Sequence, residues 1–173
     1  SGRASELTGE EYNNRILGKF VSAADAVYST FARPTHVRPC TYDAALPLLI
    51  GVDFNNRPMS AVMLQRLGIE WRVVGEVAQP GTTFEHAERL VEWCTARRID
   101  YKDRSKVMLV PDASGSSRQH ATGKSDHEIL RQSGFVLDGP AANPAIKDRD
   151  NAVLRALHSG GAPHLFVDPG CTG

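Results

Sequence analysis

One short stretch of this sequence constrains the possible folds more than any other. The ten residues from Leu46 to Asn55, LPLLIGVDFN, form an apolar run that ends at Asp53. A short, continuous apolar run bounded by turn residues is typical of a strand that is buried on both faces. Burying a lone carboxylate beside such a strand costs several kcal/mol, and a metal cation is one partner that compensates for this cost.

A second stretch repeats the pattern. The segment from Lys106 to Asp112, KVMLVPD, is apolar and also ends in an aspartate. A helical crossover would make the two strands parallel, and their carboxyl ends would then meet at the sheet edge where ligand sites gather. The alternative is that each aspartate only caps a turn after its strand. Two such strands in one chain favour a shared site.

The composition sets broad limits on the fold and the compartment. A chain of 173 residues fits one domain with a substantial core. Its 20 basic and 20 acidic side chains balance, which leaves room for a basic face around an acidic pocket. Three widely spaced cysteines without a CxxC pattern argue against a disulfide framework and favour a reducing compartment. No segment has the length and apolarity of a transmembrane helix.

Further strands and helices follow from local patterns. Met59 to Leu67 and Ile69 to Ala78 read as strands, and their short connections predict an antiparallel meander with the first strand. Capping boxes begin two helices: Thr82 with Glu85, and Ser125 with Glu128. We expect the first of these helices to bury Phe84, Ala87, Val91 and Cys94.

The last part of the chain predicts one more strand and one more helix. Phe135 to Leu137 reads as a short strand. Asn143 reads as a helix cap before Pro144 at the first helical position, so a last helix covers Pro144 to His158. The resulting order β-β-β-α-β-α-β-α predicts an α/β fold: a mixed sheet with helices on its faces.

Two further acids are candidates for the site. Asp148 shares one face of the last helix with Ala152 and Ala156, and the small alanines would let that face approach the sheet. The alternative is a surface aspartate in the first turn, where the helix dipole favours negative charge. Alternation in the third strand places Glu76 opposite to the face shared by Trp71, Val73, Gly75 and Val77. Glu76 is either a fourth acid or an exposed strand residue.

The chemistry of these acids indicates the metal. Oxygen ligands without a Cys/His cluster point to magnesium or manganese rather than zinc. Isolated histidines on polar segments are commonly exposed, and we assign no role to His120 or His127.

Four stretches carry a resemblance to a known family: LLIGVDFN, VVGEVAQPGTTFEHAERLVEW, VPDASGSSRQHATGKSDHEILRQSGF and NPAIKDRDNAVLRAL. Together they resemble the nuclease domain of the large terminase subunit of tailed bacteriophages. The resemblance implies a ribonuclease H-like fold. It also implies metal-dependent endonucleolytic cleavage of concatemeric double-stranded viral DNA during genome packaging.

The resemblance also divides the chain. EYNNRILGKFV near the amino terminus resembles the segment that joins the family's ATPase domain to its nuclease. We therefore expect residues 1–42 to form a linker or arm and residues 43–173 to form the nuclease domain. No phosphate-binding GxxxxGK[ST] motif is present, so the ATPase domain is expected to be missing from this sequence.

By resemblance, Asp53, Asp112 and Asp148 are the catalytic, metal-binding acids, and Glu76 occupies a position that is often acidic in the family. Whether Asp148 or Asp150 faces the metal is left open. The implied mechanism is phosphodiester hydrolysis with two Mg²⁺ or Mn²⁺ ions, about 3.5–4 Å apart in sites of this kind.

Basic residues flank the acids in sequence and are predicted to hold the DNA backbone without reading its sequence: Arg118, Lys124, Arg131 and Lys147. The alternative for each is a solvated surface position. By resemblance, the partners are the ATPase domain of the same subunit, the small terminase subunit and the portal, in the cytoplasm of the infected bacterium. The rival functions are a Holliday-junction resolvase, a transposase-like enzyme, and a non-catalytic DNA-binding or docking module of the packaging motor.

Overall fold

The computed structural model of the chain describes residues 27–54, 58–118 and 123–172. Its main sheet has five strands, and a two-stranded ladder lies apart from it. In chain order the strands are β1 (Leu48–Asp53), β2 (Met59–Leu67), β3 (Glu70–Gln79), β4 (Val107–Pro111), β5 (His158–Ser159), β6 (Ala162–Pro163) and β7 (Leu165–Val167). The order across the main sheet is β4-β1-β2-β3-β7.

The sheet combines both kinds of strand pairing. The pairs β1–β2 and β2–β3 are antiparallel and form the predicted meander. The pairs β1–β4 and β3–β7 are parallel, and the long connection between the strands of each pair includes at least one helix, as parallel pairing requires a crossover. The predicted α/β class and mixed sheet are therefore confirmed.

Two helices begin where their capping boxes place them, whereas the last helix begins at Ile146, two residues after the predicted first helical residue Pro144. Besides the short α1 (Arg33–His36), the helices are α2 (Thr83–Ala96), α3 (Asp126–Gln132) and α4 (Ile146–Leu157). Both predicted capping boxes are present, at the starts of α2 and α3. In each box the cap hydroxyl accepts a backbone N–H and the glutamate accepts the backbone N–H of the cap residue, which satisfies two otherwise unpaired donors. None of the described helices is long and apolar enough to span a membrane.

One face of the sheet forms the core under α2 and α3. Leu48, Ile50 and Leu109 are completely buried there. From α2, the face turned to the sheet carries Thr83, His86, Ala87, Leu90 and Cys94. Phe84, which we predicted to be buried, is 43% exposed. It lies one residue, or about 100° of helix rotation, away from the buried position of Thr83.

The opposite face is covered by α4 at one end and is open at the other. Ala152 and Ala156 of α4 line a cavity of about 340 Å³ together with Trp71 of β3. Near β1 and β4 this face carries Gly51, Asp53 and Val110, which line an open groove. The sheet thus has helices on both faces, and the groove lies at its β1–β4 end.

A bulge in β3 overturns the predicted alternation of its side chains. Met63 lies opposite Gly75, whereas the next residue, Leu64, lies opposite Val73. Met63 and Leu64 are successive residues and point to opposite faces of the sheet. Their partners Gly75 and Val73 therefore also point to opposite faces. The prediction that they share a face was wrong, since the extra residue Val74 shifts the alternation by one.

The predicted strand at Phe135 to Leu137 was also wrong. The structure has a single parallel bridge there, between Leu109 and Leu137. Leu109 of β4 donates its N–H to Val136 and accepts the N–H of Asp138, and the pairing ends after this residue. The further parallel strand of the sheet is instead β7, which follows α4.

The described part of the predicted arm contacts the rest of the chain. His36 is 2% exposed, and its Nε2 donates to the carbonyl of Leu157 at 3.1 Å. The N–H of Cys40 donates to the carboxylate of Asp168 at 2.8 Å. The division at residues 42 and 43 stays a prediction. EYNNRILGKFV, His120 and residues 55–57 lie outside the described residues.

Candidate metal centre

Asp53 and Asp112 lie side by side at the ends of parallel strands. In the β1–β4 register Val52 pairs with Pro111, and the N–H of Asp112 donates to the carbonyl of Val52 at 2.9 Å. The next residue on each strand is the aspartate, and neighbouring strands run about 4.8 Å apart. The two carboxylates therefore reach the same edge of the sheet on its open face.

Asp112 is held by hydrogen bonds on one of its oxygens. Its Oδ1 accepts the backbone N–H of Ser114 at 2.8 Å and the side-chain Nδ2 of Asn143 at 2.9 Å. The bond from Asn143, the bonds from Ser114 and the nearby charge of Arg149 hold the pKa of Asp112 below its usual range. Asp112 thus caps the 3₁₀ turn Ala113–Ser116, as the turn-capping alternative expected, but neither bond uses Oδ2.

The two aspartates line a groove of about 520 Å³. Its apolar surface comes from Gly51, Val62 and Val110, and Arg149 of α4 borders it. A guanidinium beside two carboxylates balances part of their charge and offers a planar donor to a phosphate. The sequence pattern gave no sign of a role for Arg149, which directly follows the predicted Asp148.

The third predicted acid is not brought to the pair. Asp148 lies exposed in the first turn of α4, and the groove is lined by Arg149 instead. The following Asp150 is half-buried on the same helix. Within residues 27–54, 58–118 and 123–172, no three His, Cys, Asp or Glu side chains come close enough together to hold a metal ion.

Glu76 lies two strands away from Asp53. It pairs with Val62 of β2, which pairs in turn with Gly51 of β1. Two strand spacings put Glu76 about 10 Å from β1. The Glu76 carboxylate accepts the N–H of Thr172 and lines a separate cavity beside Arg89 and Trp93.

The four predicted DNA-binding residues occupy different positions. Arg118 is exposed and forms a single bridge with Ser125, so the ends of the loop between them meet. The Nζ of Lys124 donates to the Oε1 of Gln132 at 2.8 Å. Arg131 is exposed and borders a cavity of about 220 Å³ whose lining includes Pro111 and Ala113, next to Asp112. Lys147 is exposed in the first turn of α4.

His127 supports the site, although its sequence context gave no sign of this. Its Nε2 donates to the backbone carbonyl of Asp112 at 2.9 Å. Its ring lies 5.7 Å from that of Phe54, the residue after Asp53. The Phe54 ring fills the space that a side chain at Gly115 would need, so only glycine fits there. The ends of β1 and β4 are thus packed together behind the two carboxylates.

The residues present fit a hard divalent cation. Mg²⁺ is commonly bound by one or two carboxylates, with waters and substrate phosphate oxygens completing six ligands. Asp53 and the Oδ2 of Asp112 supply this kind of incomplete oxygen shell. Two carboxylates without further protein ligands would hold such a cation only weakly.

No family model and no curated protein matches this sequence. Solved structures do match. The large terminase of the thermophilic bacteriophage D6E superposes with a TM-score of 0.64 at 19% identity, over 84% of this chain and 34% of that one. The P22 large terminase nuclease domain matches with a TM-score of 0.61 at 12% identity, over 84% of this chain and 73% of that one.

A third match is the large terminase nuclease from the thermophilic phage G20c. Its TM-score is 0.55 at 14% identity, over 87% of this chain and 76% of that one. The chain spans about a third of the length of the D6E large terminase. At identities this low, the matches establish the fold alone. The matched fold agrees with the resemblance found in the sequence. This chain has the fold of the nuclease domain of phage large terminases.

Proposed function

We propose that this chain is a metal-dependent endonuclease that cleaves double-stranded, concatemeric viral DNA during genome packaging. The observation that carries the proposal is the pair of carboxylates, Asp53 and Asp112, side by side at the ends of parallel strands in an open groove. The fold shared with the P22 and G20c terminase nuclease domains supports it.

In this proposal the acids hold two Mg²⁺ or Mn²⁺ ions at the groove. Bound ions of this kind activate a water and stabilise the charge on the phosphate and the leaving oxygen. Asp53 and Asp112 fix the position of the site on the rigid sheet. Asp148 is the proposed third catalytic ligand, and a shift of the first turn of α4, in which Arg149 already borders the groove, would bring it in. Glu76 has no part in this set, because it lies two strands away.

The chain's cations have a positional role. Arg149 borders the groove and is placed to contact an oxygen of the cleaved phosphate. Arg131 and Lys147 lie near the ends of β4 and α4 that form the site, and Arg118 and Lys124 lie at the loop that follows. Contacts from these residues to the DNA backbone position a duplex without reading its sequence.

The setting of this activity is also part of the proposal. The D6E protein is a large terminase of which this chain corresponds to about a third. We propose that the nuclease works beside the ATPase domain of the same subunit, with the small terminase subunit and the portal as partners. It would act in the cytoplasm of the infected bacterium.

One observation favours a second candidate function. The described residues bring together two acids rather than three, which suits a non-catalytic DNA-binding or docking module. A resolvase or transposase-like enzyme would instead need the same acids and a different DNA substrate. The cleavage products and substrate preference distinguish these functions.

The test is incubation of the purified chain with supercoiled plasmid in Mn²⁺, Mg²⁺ or EDTA. We expect nicked and linear DNA with either metal and none with EDTA. Asp53→Asn should be inactive, whereas the matched control Asp100→Asn, an exposed aspartate after α2, should cleave normally. Plasmid binding without cleavage in any metal would support the docking module. A strong preference for four-way junctions over linear duplex would support the resolvase.

A further inference from the structure

Asn143 makes two hydrogen bonds that both end at the tip of β4. Its Nδ2 donates to the Oδ1 of Asp112 at 2.9 Å, and its Oδ1 accepts the backbone N–H of Ala113 at 2.9 Å. The sequence pattern predicted a different role, that of a helix cap. In the structure the N-cap of α4 is Ala145, without a side-chain bond, because the amide of Asn143 is engaged elsewhere.

The contact engages one oxygen of Asp112, its Oδ1. Asn143 and the N–H of Ser114 both donate to Oδ1, and a carboxylate oxygen has two lone-pair positions. With Oδ1 occupied, Oδ2 is the oxygen left to a cation. The two bonds restrict the rotation of the Asp112 side chain, which would then bind a cation through one oxygen. A carboxylate that rotated freely would have to lose conformational entropy each time it bound a cation.

Asn143 also ties α4 to the same point. It lies five residues before Asp148 and six before Arg149, which borders the groove. The loop between α3 and α4, which carries Asn143, has another side-chain link to the rest of the chain, in which Arg104 Nη2 lies 3.1 Å from Asp138 Oδ2. That ion pair is exposed and lies on the loop without touching Asp112.

We propose that Asn143 is a positioning residue for the metal site: it holds Asp112 with Oδ2 towards the groove. The inference rests on the proposed function, since it assigns Asp112 to a divalent cation. Hydrogen-bond partners of metal ligands commonly contribute about 10- to 100-fold to metal affinity. Asn143 reaches the cation through Asp112 and needs no contact with DNA.

The test measures Mn²⁺ binding to the whole chain without DNA, by electron paramagnetic resonance of the free ion. Asn143→Leu, which is similar in size but cannot hydrogen-bond, should weaken Mn²⁺ about 10- to 100-fold. Asn143→Ala should do the same. Arg104→Ala removes the other side-chain link of the loop and should leave the Mn²⁺ affinity within about twofold, since surface ion pairs contribute little. Circular dichroism confirms that each variant is folded.

A second measurement separates positioning from a general structural role. The Mn²⁺ concentration for half-maximal plasmid cleavage should rise in Asn143→Leu by the same factor as the dissociation constant. Cleavage at saturating Mn²⁺ should change much less, because Asp112 still binds once enough metal is present.

The outcomes are distinct. Wild-type affinity in folded Asn143→Leu, or an equal loss in Arg104→Ala, would overturn the positioning role while leaving the nuclease intact. Failure of the wild-type chain itself to bind Mn²⁺, or binding that Asp53→Asn and Asp112→Asn do not weaken, would refute the metal site and the positioning role with it.

Discussion

The two faces of the same strands differ in what they contribute to the molecule. On β1, Leu48, Ile50 and Val52 are buried under α2 and α3, whereas Gly51 and Asp53 line the open groove. Because side chains alternate along the strand, residues that pack in the core and residues that line the groove are direct neighbours in sequence. Substitutions on the covered face should therefore change the free energy of unfolding, and those on the open face should change function.

The polar groups of the two faces also differ. On the open face, Asp112 is satisfied by Ser114 and Asn143. On the covered face, His86 is fully buried, and neither ring nitrogen has a hydrogen-bond partner among the described residues. Burial lowers the pKa of His86 to about 4. Among the described residues, the covered face thus holds a buried side chain without a hydrogen bond, whereas the Asp112 carboxylate on the open face is hydrogen-bonded.

The largest effect is expected for Asp53→Asn on the open face. The variant keeps the side-chain shape and removes the charge that holds the metal, so the plasmid cleavage rate should fall about 100-fold or more. The melting temperature of the metal-free protein should stay equal or rise, because repulsion from Asp112 is relieved. A destabilised but active variant would mean that Asp53 only supports the turn after β1.

On the covered face, Leu109→Ala should affect stability alone. Leu109 is completely buried, and truncation should lower the free energy of unfolding by about 2–5 kcal/mol in urea titrations. The matched control is Val62→Ala on the open face, which is 40% exposed and should cost less than about 1 kcal/mol. Comparable losses at the two positions would contradict the division of the sheet into two functional faces.

His86→Leu should reduce the acid sensitivity of the fold. Unfolded histidine takes up a proton below pH 6.5, whereas folded His86 stays neutral until about pH 4. Wild-type stability should therefore be complete above pH 6.5 and fall as the pH drops towards 4, by an amount on the order of 3 kcal/mol from this residue. The variant lacks this loss, and other groups cancel in the comparison. Parallel curves of unfolding free energy against pH would refute the buried neutral histidine.

The smallest effect is expected from the cations around the site. Replacing Arg118 and Lys124 together with alanine should weaken duplex binding, and two lost phosphate contacts should reduce the salt slope by about 1.8. The control is the replacement of Arg97 and Lys102 with alanine; these two side chains lie over the rings of Trp93 and Tyr101. This double variant loses the same net charge, and we expect its salt slope to equal that of the wild type. If both double variants had the same salt dependence of duplex binding, the DNA would not contact Arg118 and Lys124.

Much of the fold was predictable because its signals are local. The limits of β2 and the two capping boxes follow from neighbouring residues, and the structure has them as predicted. The bulge at Val74 and the single bridge at Leu137 depend on partners in other strands, which a local pattern does not contain. Asn143 is the clearest case, because its amide turns from a local cap to Asp112, 31 residues away.

The residues of the candidate site divide in the same way into those with local signals and those without. Asp53 and Asp112 could be predicted because each follows a buried run, and parallel pairing aligns the strand ends. Arg149 could not, since its approach to the groove depends on how α4 is oriented against the sheet. The role of His127 could not be predicted either, because it depends on a hydrogen bond to the backbone carbonyl of Asp112, 15 residues away.

The central claim is that the two strand-end aspartates share a metal on the open face of the sheet. A crystal of the chain soaked in Mn²⁺ tests it most directly through the anomalous signal of the ion. We predict a peak between the carboxylates of Asp53 and Asp112, with Asp112 coordinating through Oδ2 at about 2.0–2.3 Å. A peak at Glu76 instead, or no peak near β1 and β4 with other sites occupied, would contradict the account.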